Sequence, residues 1–347
     1  MLQDVFRGRF YHNRQETLRK GTRPHDHIHG ERTLKSVILV TSTYNGAAYL
    51  PQLLESLMAQ TYPAFTLCVR DDGSKDDSVQ ILRDYRDRFP EGKKIEILNE
   101  KDDVWENKGS HQSYRYLISN LDEADYYLFC DQDDVWDPRK VERAVAAMEQ
   151  YPKEKPVLYV HNYYVCDSSL NIEHTLPDRP SVTPSEMEKI SLAHVIMTGT
   201  WGGVGMAQGF NRKLFELTFN MGEITPSVAV DCWISWVVAG MNGALTYDPE
   251  PLAYYRRHPG TFSSGDQNGL IRYRDWYRHM DRHCSNIRNG IHDYRRLYRN
   301  MVSDERQRFL DLFDGGNRLK KCVYPHRLRN KIMEDLAFRI LIMLGRI

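Results

Sequence analysis

SVILVTSTYNGAAYLPQLLESLM, from Ser36 to Met58, holds a strand, a turn and a helix in succession. SVILVTS is a short, apolar, β-branched run, the pattern of a strand buried on both faces. Tyr44-Asn45-Gly46 forms the turn. Leu50, Leu53, Leu54, Leu57 and Met58 then recur at helical spacing, with Pro51 near the helix start, where a missing N–H costs nothing. A doubly buried strand feeding a helix is the beginning of a βαβ unit, and therefore of a parallel sheet covered by helices.

The unit repeats. FTLCVRDDGS (Phe65–Ser74) is a second strand with a polar turn, and Ser78 begins a helix carrying Leu82, Tyr85 and Phe89 on one face. KIEILNE (Lys94–Glu100) is a third strand. A helix with Tyr114, Leu117 and Leu121 precedes YYLFCD (Tyr126–Asp131), the fourth. Asp137 and Pro138 are expected as N-cap and first residue of a helix with Val141, Ala144, Val145 and Met148 on its apolar stripe. The expected class is α/β: a Rossmann-like, mostly parallel sheet flanked by helices. Ligands of such sheets bind beyond the carboxyl ends of the strands. Three of the strands end in Thr43-Tyr44-Asn45, in Asp71-Asp72 and in Asp131-Gln132-Asp133, so the alternation converges these groups on one edge.

After Tyr151 the alternation weakens. VLYVHNYYVCD (Val157–Asp167) reads as a strand leading to an antiparallel addition, and MTGTWGGVGMAQGF (Met197–Phe210) as a flat, glycine-rich stretch. VDCWISWVVAG (Val230–Gly240) reads as a helix and GALTYDPEPLAYYRRH (Gly243–His258) as a strand plus a loop. Basic, aromatic helices follow. The expected division is a polar extension over 1–34, a sheet domain over 35–265 and a helical basic region over 266–347. His25–Gly30, HDHIHG, has metal-binding residue types, but no apolar periodicity anchors the extension, which reads as a leader.

The 347 residues include 47 basic and 47 acidic ones, a balance that argues against a nucleic-acid-binding polycation. The six cysteines form no CxxC pair, so a zinc ribbon is not indicated, and Cys68 and Cys130 read as buried thiols. No apolar leader run, membrane-length apolar run or Asn-x-Ser/Thr sequon occurs, which leads to a cytoplasmic expectation. The 21 tyrosines and 6 tryptophans fit either packing or stacking on sugars and bases.

Clustered carboxylates at a strand end suit a hard divalent cation. Mg²⁺ or Mn²⁺ takes one or two protein carboxylates plus oxygens of a bound phosphate. A lone Asp-x-Asp is common and also serves as a loop or cap cluster. Its place after an apolar strand, with Asp71-Asp72 ending another, favours the cation.

The ordered set VTSTYNGAAYLPQLLESLMAQTY (Val40–Tyr62), VRDDGSKDDS (Val69–Ser78) and FCDQDDVWDPRKVE (Phe129–Glu142) resembles the nucleotide-sugar half of an inverting family-two glycosyltransferase of GT-A fold. The resemblance is closest to bacterial enzymes of surface-polysaccharide synthesis, including rhamnosyl- and galactosyltransferases. It is dense from Ser36 to about Met148 and looser to about Gly265. It implies that Thr43, Tyr44 and Asn45 line a nucleotide pocket, with Tyr44 near the base or ribose. It implies that Asp72, with Asp71, accepts from a pyrimidine ring N–H, that Asp131 lies near ribose and sugar, and that Asp133 is the main metal ligand, to Mn²⁺ or Mg²⁺. In ENKGSHQSY (Glu106–Tyr114), Asn107 and Gly109 match the loop before a donor-side helix, and Ser113-Tyr114 stands where the family often has Asn-Phe. AVDCWISWVVAG (Ala229–Gly240) makes Asp231 the general base for an acceptor hydroxyl, with Val230 where the family often has His or Glu. YYRRHPGTFS (Tyr254–Ser263) makes Arg257, or Arg256, a diphosphate contact and His258 a further metal ligand. Trp201 is a candidate platform for an acceptor sugar and equally a core residue.

The function so implied is inverting transfer from a UDP- or dTDP-sugar to a saccharide acceptor, expected to be lipid-linked, in cell-surface polysaccharide synthesis. The alternatives are a non-catalytic sugar-nucleotide or glycan-binding protein, a glycoside hydrolase, or another metal-dependent enzyme such as a nucleotidyltransferase. The last should carry a basic triphosphate loop after the first strand, and Thr43-Tyr44-Asn45-Gly46 has no Lys or Arg. Residues 317–347 hold eight basic and two acidic residues and end in LAFRILIMLGRI. That tail fits either contact with the inner face of an anionic membrane or a helix docked on protein.

Overall fold

The computed structural model describes residues 34–198, 203–222, 228–258 and 278–347. Residues 1–33 of the expected 1–34 extension, and Trp201, lie outside the described residues. β1 (Val37–Thr43), α1 (Leu50–Met58), β2 (Phe65–Asp71), α2 (Ser78–Arg86) and β3 (Lys93–Ile97) follow one another as the alternation predicts. The short α3 (Asn99–Asp102) and α4 (Ser110–Ser119) lead to β4 (Tyr126–Phe129). These four strands are parallel, in the order β3-β2-β1-β4, with Leu39 facing Leu67 on one side and Leu128 on the other. All three of those leucines are buried, as doubly covered strands require.

The second half turns the sheet mixed. β5 (Val135–Trp136), α5 (Lys140–Met148), β6 (Val157–Cys166), β7 (Ile172–Thr175), α6 (Pro184–Glu188), α7 (Leu192–Thr198), β8 (Gln208–Asn211), α8 (Arg212–Phe219), α9 (Val230–Gly240) and β9 (Ala244–Arg256) come in turn. β8 inserts antiparallel between β4 and β6, β6 pairs parallel with β9, and β5 closes the order antiparallel to β9. The expected strand plus loop at Gly243–His258 is one strand from Ala244 to Arg256, because a bulge in the β6–β9 register absorbs Pro249 and Glu250, with Arg257 and His258 beyond its end. The expected helix start at Asp137-Pro138 is corrected to Lys140: a turn intervenes, in which Asp137 Oδ1 accepts from the Arg139 N–H at 2.9 Å. β5 was not expected at all, since two residues carry no periodicity.

α9 is apolar around nearly its whole circumference and is buried accordingly. α10 (Met280–Tyr298) crosses it closely: a Cβ on Gly290 would stand 2.6 Å from the Trp236 ring. Tyr294 and Tyr298 pack on Trp233 at ring distances of 5.6 and 6.1 Å. The tyrosines of this stretch are therefore core residues, while Arg295 and Arg299 on its outer side pair with Asp311 of α11 (Asp304–Phe313). α12 (Arg318–Cys322) and α13 (Ile332–Met343) complete the helical region. Cys68 and Cys130 are buried as read, and burial pushes both thiols up to about 12.

Candidate active site

Since β2, β1 and β4 are neighbours and parallel, their polar ends do lie side by side. The β1 turn is stitched to the β2 turn. Asn45 takes a left-handed φ of 47°, which Asn tolerates, donates its N–H to Ser74 Oγ and accepts from the Lys75 N–H. Gln132 binds the same turn to the β4 end. Its Oε1 accepts from Thr43 Oγ1 at 2.6 Å and from the Tyr44 N–H at 2.9 Å. Gly46 permits this approach, because a Cβ there would stand 2.4 Å from Gln132 Oε1. Tyr44 remains 45% exposed, a free aromatic face at the strand ends.

Asp71 and Asp72 are buried and engaged. Asp71 Oδ2 accepts from the Ser74 N–H at 2.8 Å, which shapes the turn. Asp72 accepts from Arg70 and from the Lys108 N–H on Oδ1, and from the Gly109 N–H on Oδ2. Asp72 thus fastens the loop that presents Asn107 and Gly109, both exposed. One lone pair of Oδ2 remains.

α4 starts at that loop and spans the site. Ser113 bonds Ser42 Oγ and Arg70, and the Tyr114 hydroxyl donates to Asp131 Oδ1 at 3.0 Å. The next residue of the same helix, Arg115, donates to the Val228 carbonyl, just ahead of α9. Ser113 and Tyr114 thus tie α4 to the strand ends.

The carboxylates of Asp131, Asp133 and Asp134 crowd the β4 end. Burial, then the charge of Asp133, pushes Asp131 up to about 7, and burial with both neighbours holds Asp134 well above the carboxylate range. The short β5 explains what meets them. Its antiparallel pairing with β9, Val135 to Tyr254, brings residues 256–258 over 133–134. His258 Nε2 lies 2.9 Å from Asp133 Oδ2. Arg256 donates its N–H to Asp134 Oδ1 at 3.0 Å and its Nε–H to the Asp133 carbonyl at 2.8 Å. Arg256 is buried with further bonds to Ser168 and Gln52, so it belongs to the scaffold, and Arg257 is the half-exposed one, 3.4 Å from Glu173.

Asp133 and His258 offer an oxygen and a nitrogen to one point, and Asp134 Oδ2 is buried without a hydrogen-bond partner. Among the described residues no three His, Cys, Asp or Glu side chains form a ready cage. The donor set therefore fits a cation that draws most of its ligands from a phosphate, the habit of Mg²⁺ and Mn²⁺.

Asp231 stands in the first turn of α9, with Oδ1 accepting from the Cys232 N–H at 2.9 Å. Burial raises its carboxyl above the ordinary range, opposed by that N–H and by His111 of α4. Its charge in turn contributes to raising Asp131, after burial and Asp133. A Cβ on Gly205 would come 3.7 Å from Asp231, so glycine keeps that flank open.

Lys140 was not read as a site residue. It is fully buried beneath the cluster, with Nζ donating to the Met206 carbonyl at 2.8 Å and lying 3.4 Å from the centre of the Trp136 ring. Burial pushes its ammonium down to about 7, against the pull of Cys130, Asp134 and Asp131. The signal was present: Lys140 lies four and eight residues before Ala144 and Met148, on the apolar stripe of α5. Lys140→Ala is expected to cost about 2–4 kcal/mol in urea unfolding, from the cavity plus an orphaned carbonyl. A loss under about 1 kcal/mol would mean that the Met206 contact is not structural.

Residues 38–219 match the family model of glycosyl transferase family 2, over half of the chain. The chain belongs to glycosyl transferase family 2. This family-2 chain is 25% identical to an uncharacterised glycosyltransferase of Nostoc sp. over 64% of its length and 65% of the relative's. It is 27% identical to one of Rickettsia felis over 45% of its length and 24% of the relative's. Against both, it spans less than two thirds of the relative. With dTDP-rhamnosyl transferase RfbG of Shigella flexneri it shares 28% identity over 68% of its length and 80% of that protein's. S. aureus TarS 1–349, solved with UDP-GlcNAc, superposes with a TM-score of 0.50 at 17% identity, covering 88% of this chain and 81% of that one. The fold is therefore GT-A, a curled, mostly parallel sheet between helices with further helices at the C-terminal side.

Proposed function

We propose that this family-2 chain moves a sugar, with inversion, from a UDP- or dTDP-sugar to a saccharide on a lipid carrier, in bacterial surface-polysaccharide synthesis on the cytoplasmic side. The observation that supports the reading is the Asp133–His258 pair just beyond the β4 end, with Asp231, at a helix start, acting electrostatically on the neighbouring Asp131. The names of RfbG and of the TarS complex are consistent with this donor class.

In this reading Tyr44 stacks on the nucleoside, with Thr43 and Asn45 shaping its turn. Asp72 offers its remaining lone pair to a pyrimidine N–H, Asp71 holds the turn, and Asn107 and Gly109 close over the donor. Asp131 receives the ribose and sugar hydroxyls. Asp133 and His258 hold the divalent cation, which when bound offsets charge on the departing diphosphate. Arg257 swings from Glu173 to the same diphosphate. An acceptor hydroxyl attacks the anomeric carbon from the opposite side and gives its proton to Asp231. The new C–O bond forms as the bond to the diphosphate breaks, so configuration inverts. Trp201 is the proposed acceptor platform.

Isothermal calorimetry with UDP and with dTDP, with and without Mn²⁺, tests the reading. Metal-dependent binding of one nucleotide is expected. Folded protein that binds neither, with the metal present, would overturn it.

A further inference from the structure

Most of the large apolar side chains that this protein exposes lie in one place. Of twelve such residues among the described ones, eight fall between Leu319 and Leu344. Ile332, Met333, Leu336, Ile340, Met343 and Leu344 lie on or next to α13, and Leu319 and Val323 on or next to α12, which packs against it. At 3.6 residues per turn the six α13 residues share about a third of the helix circumference. Phe338, Leu341 and Ile342, on the opposite side, are in the core. The helix is thus apolar on two faces, one of them open, with Met333 76% and Leu344 66% exposed. A surface helix in water keeps one such face.

Charge frames the open face. Lys331 caps the N-terminal end of α13. At the other end the Arg318 guanidinium lies against Gly345, where a Cβ would stand 2.6 Å from its Cζ. Lys320 and Arg327 are exposed as well. The acidic residues of the region are engaged, Asp335 with Arg339 and Glu334 with Arg329 and Lys331. Arg339 also bonds the carbonyls of Cys322, Tyr324 and His326, so it braces the helix from within.

We infer that α12 and α13 lie in the surface of an anionic lipid bilayer, apolar side chains among the acyl chains and Arg318, Lys320 and Lys331 at phosphate level. Cations at both ends of an apolar stripe match such a surface. A two-fold pairing of copies of this chain through the same face would set those cations against each other. The helix lies in the membrane plane, since among the described residues no helix is long and apolar enough to cross one. This inference does not rest on the transferase reading, and its test uses neither donor nor acceptor.

The test is sedimentation of the full chain with vesicles of phosphatidylcholine alone or with about 30% phosphatidylglycerol. Binding at least about tenfold tighter to the anionic vesicles is expected, weakened by 0.5 M salt on the order of tenfold. Leu336→Asp with Ile340→Asp should lose at least about tenfold. Arg318→Glu with Lys320→Glu should lose a similar factor on anionic vesicles only. All substituted side chains are exposed, so the variants should keep the wild-type circular dichroism and melting temperature. Wild type that stays in solution with anionic vesicles, or binds both compositions equally, would overturn the inference. So would a dimer in light scattering that Leu336→Asp dissolves and vesicles do not displace.

Discussion

Asp231→Asn is expected to lower kcat by about 10²–10⁴-fold, the range of a lost general base, and to leave nucleotide Kd within about twofold. The amide keeps the shape of the side chain and its bond from the Cys232 N–H but cannot take the acceptor's proton. The same assignment fixes the pH profile. A base works deprotonated, so activity rises with pH through its pKa, and burial moves that pKa upward. The acid limb of kcat/KM should therefore lie above the carboxylate range near about 4, and Asp231→Asn should abolish it. Full activity in the variant, or an unchanged acid limb, would move the base elsewhere.

Asp133→Ala is expected to weaken Mn²⁺-dependent binding of UDP or dTDP by at least about 100-fold, leaving only the metal-free component. His258→Ala should lose on the order of tenfold, because a phosphate-bound cation can replace one nitrogen ligand with water. The difference comes from position. Asp133 sits in the short turn between β4 and β5, while His258 reaches it only through the β5–β9 pairing. The losses should appear in calorimetry with unchanged thermal unfolding, since neither side chain is in the apolar core. Wild-type metal-dependent binding by Asp133→Ala would sink the metal assignment and leave Asp133 as a loop residue. Asp133→Ala and Asp231→Asn together separate the roles: the first loses the donor and keeps the base, the second keeps the donor and loses the base.

Much of this site was legible as sequence because it lies where periodicity ends. An apolar run that stops at Asp71-Asp72 or Asp131-Gln132-Asp133 announces both the strand and its polar tip, and alternation with helices makes the strands parallel. Three groups were not legible in that way. Gln132 looks like loop filler until its amide is seen locking the Thr43–Tyr44 turn. Arg256 reads as the alternative to Arg257 for the diphosphate, yet it is buried and engaged by carbonyls. His111 and Arg115 read as polar positions on a helix, and their use depends on where α9 lies.

The local pattern of apolar residues, glycines and carboxylates was enough for the α/β class, the parallel half-sheet and the convergence of three strand ends, because period and strand polarity are properties of neighbouring residues. The pairing of Asp133 with His258, 125 positions apart, was decided by tertiary structure. So were the burial of Lys140 beneath the acidic cluster and the open apolar face of α13. Each depends on which surface another element covers: a two-residue strand against β9, the Met206 carbonyl above α5, and a core that takes one side of the last helix and leaves the other. No periodicity within a segment encodes what will be packed against it.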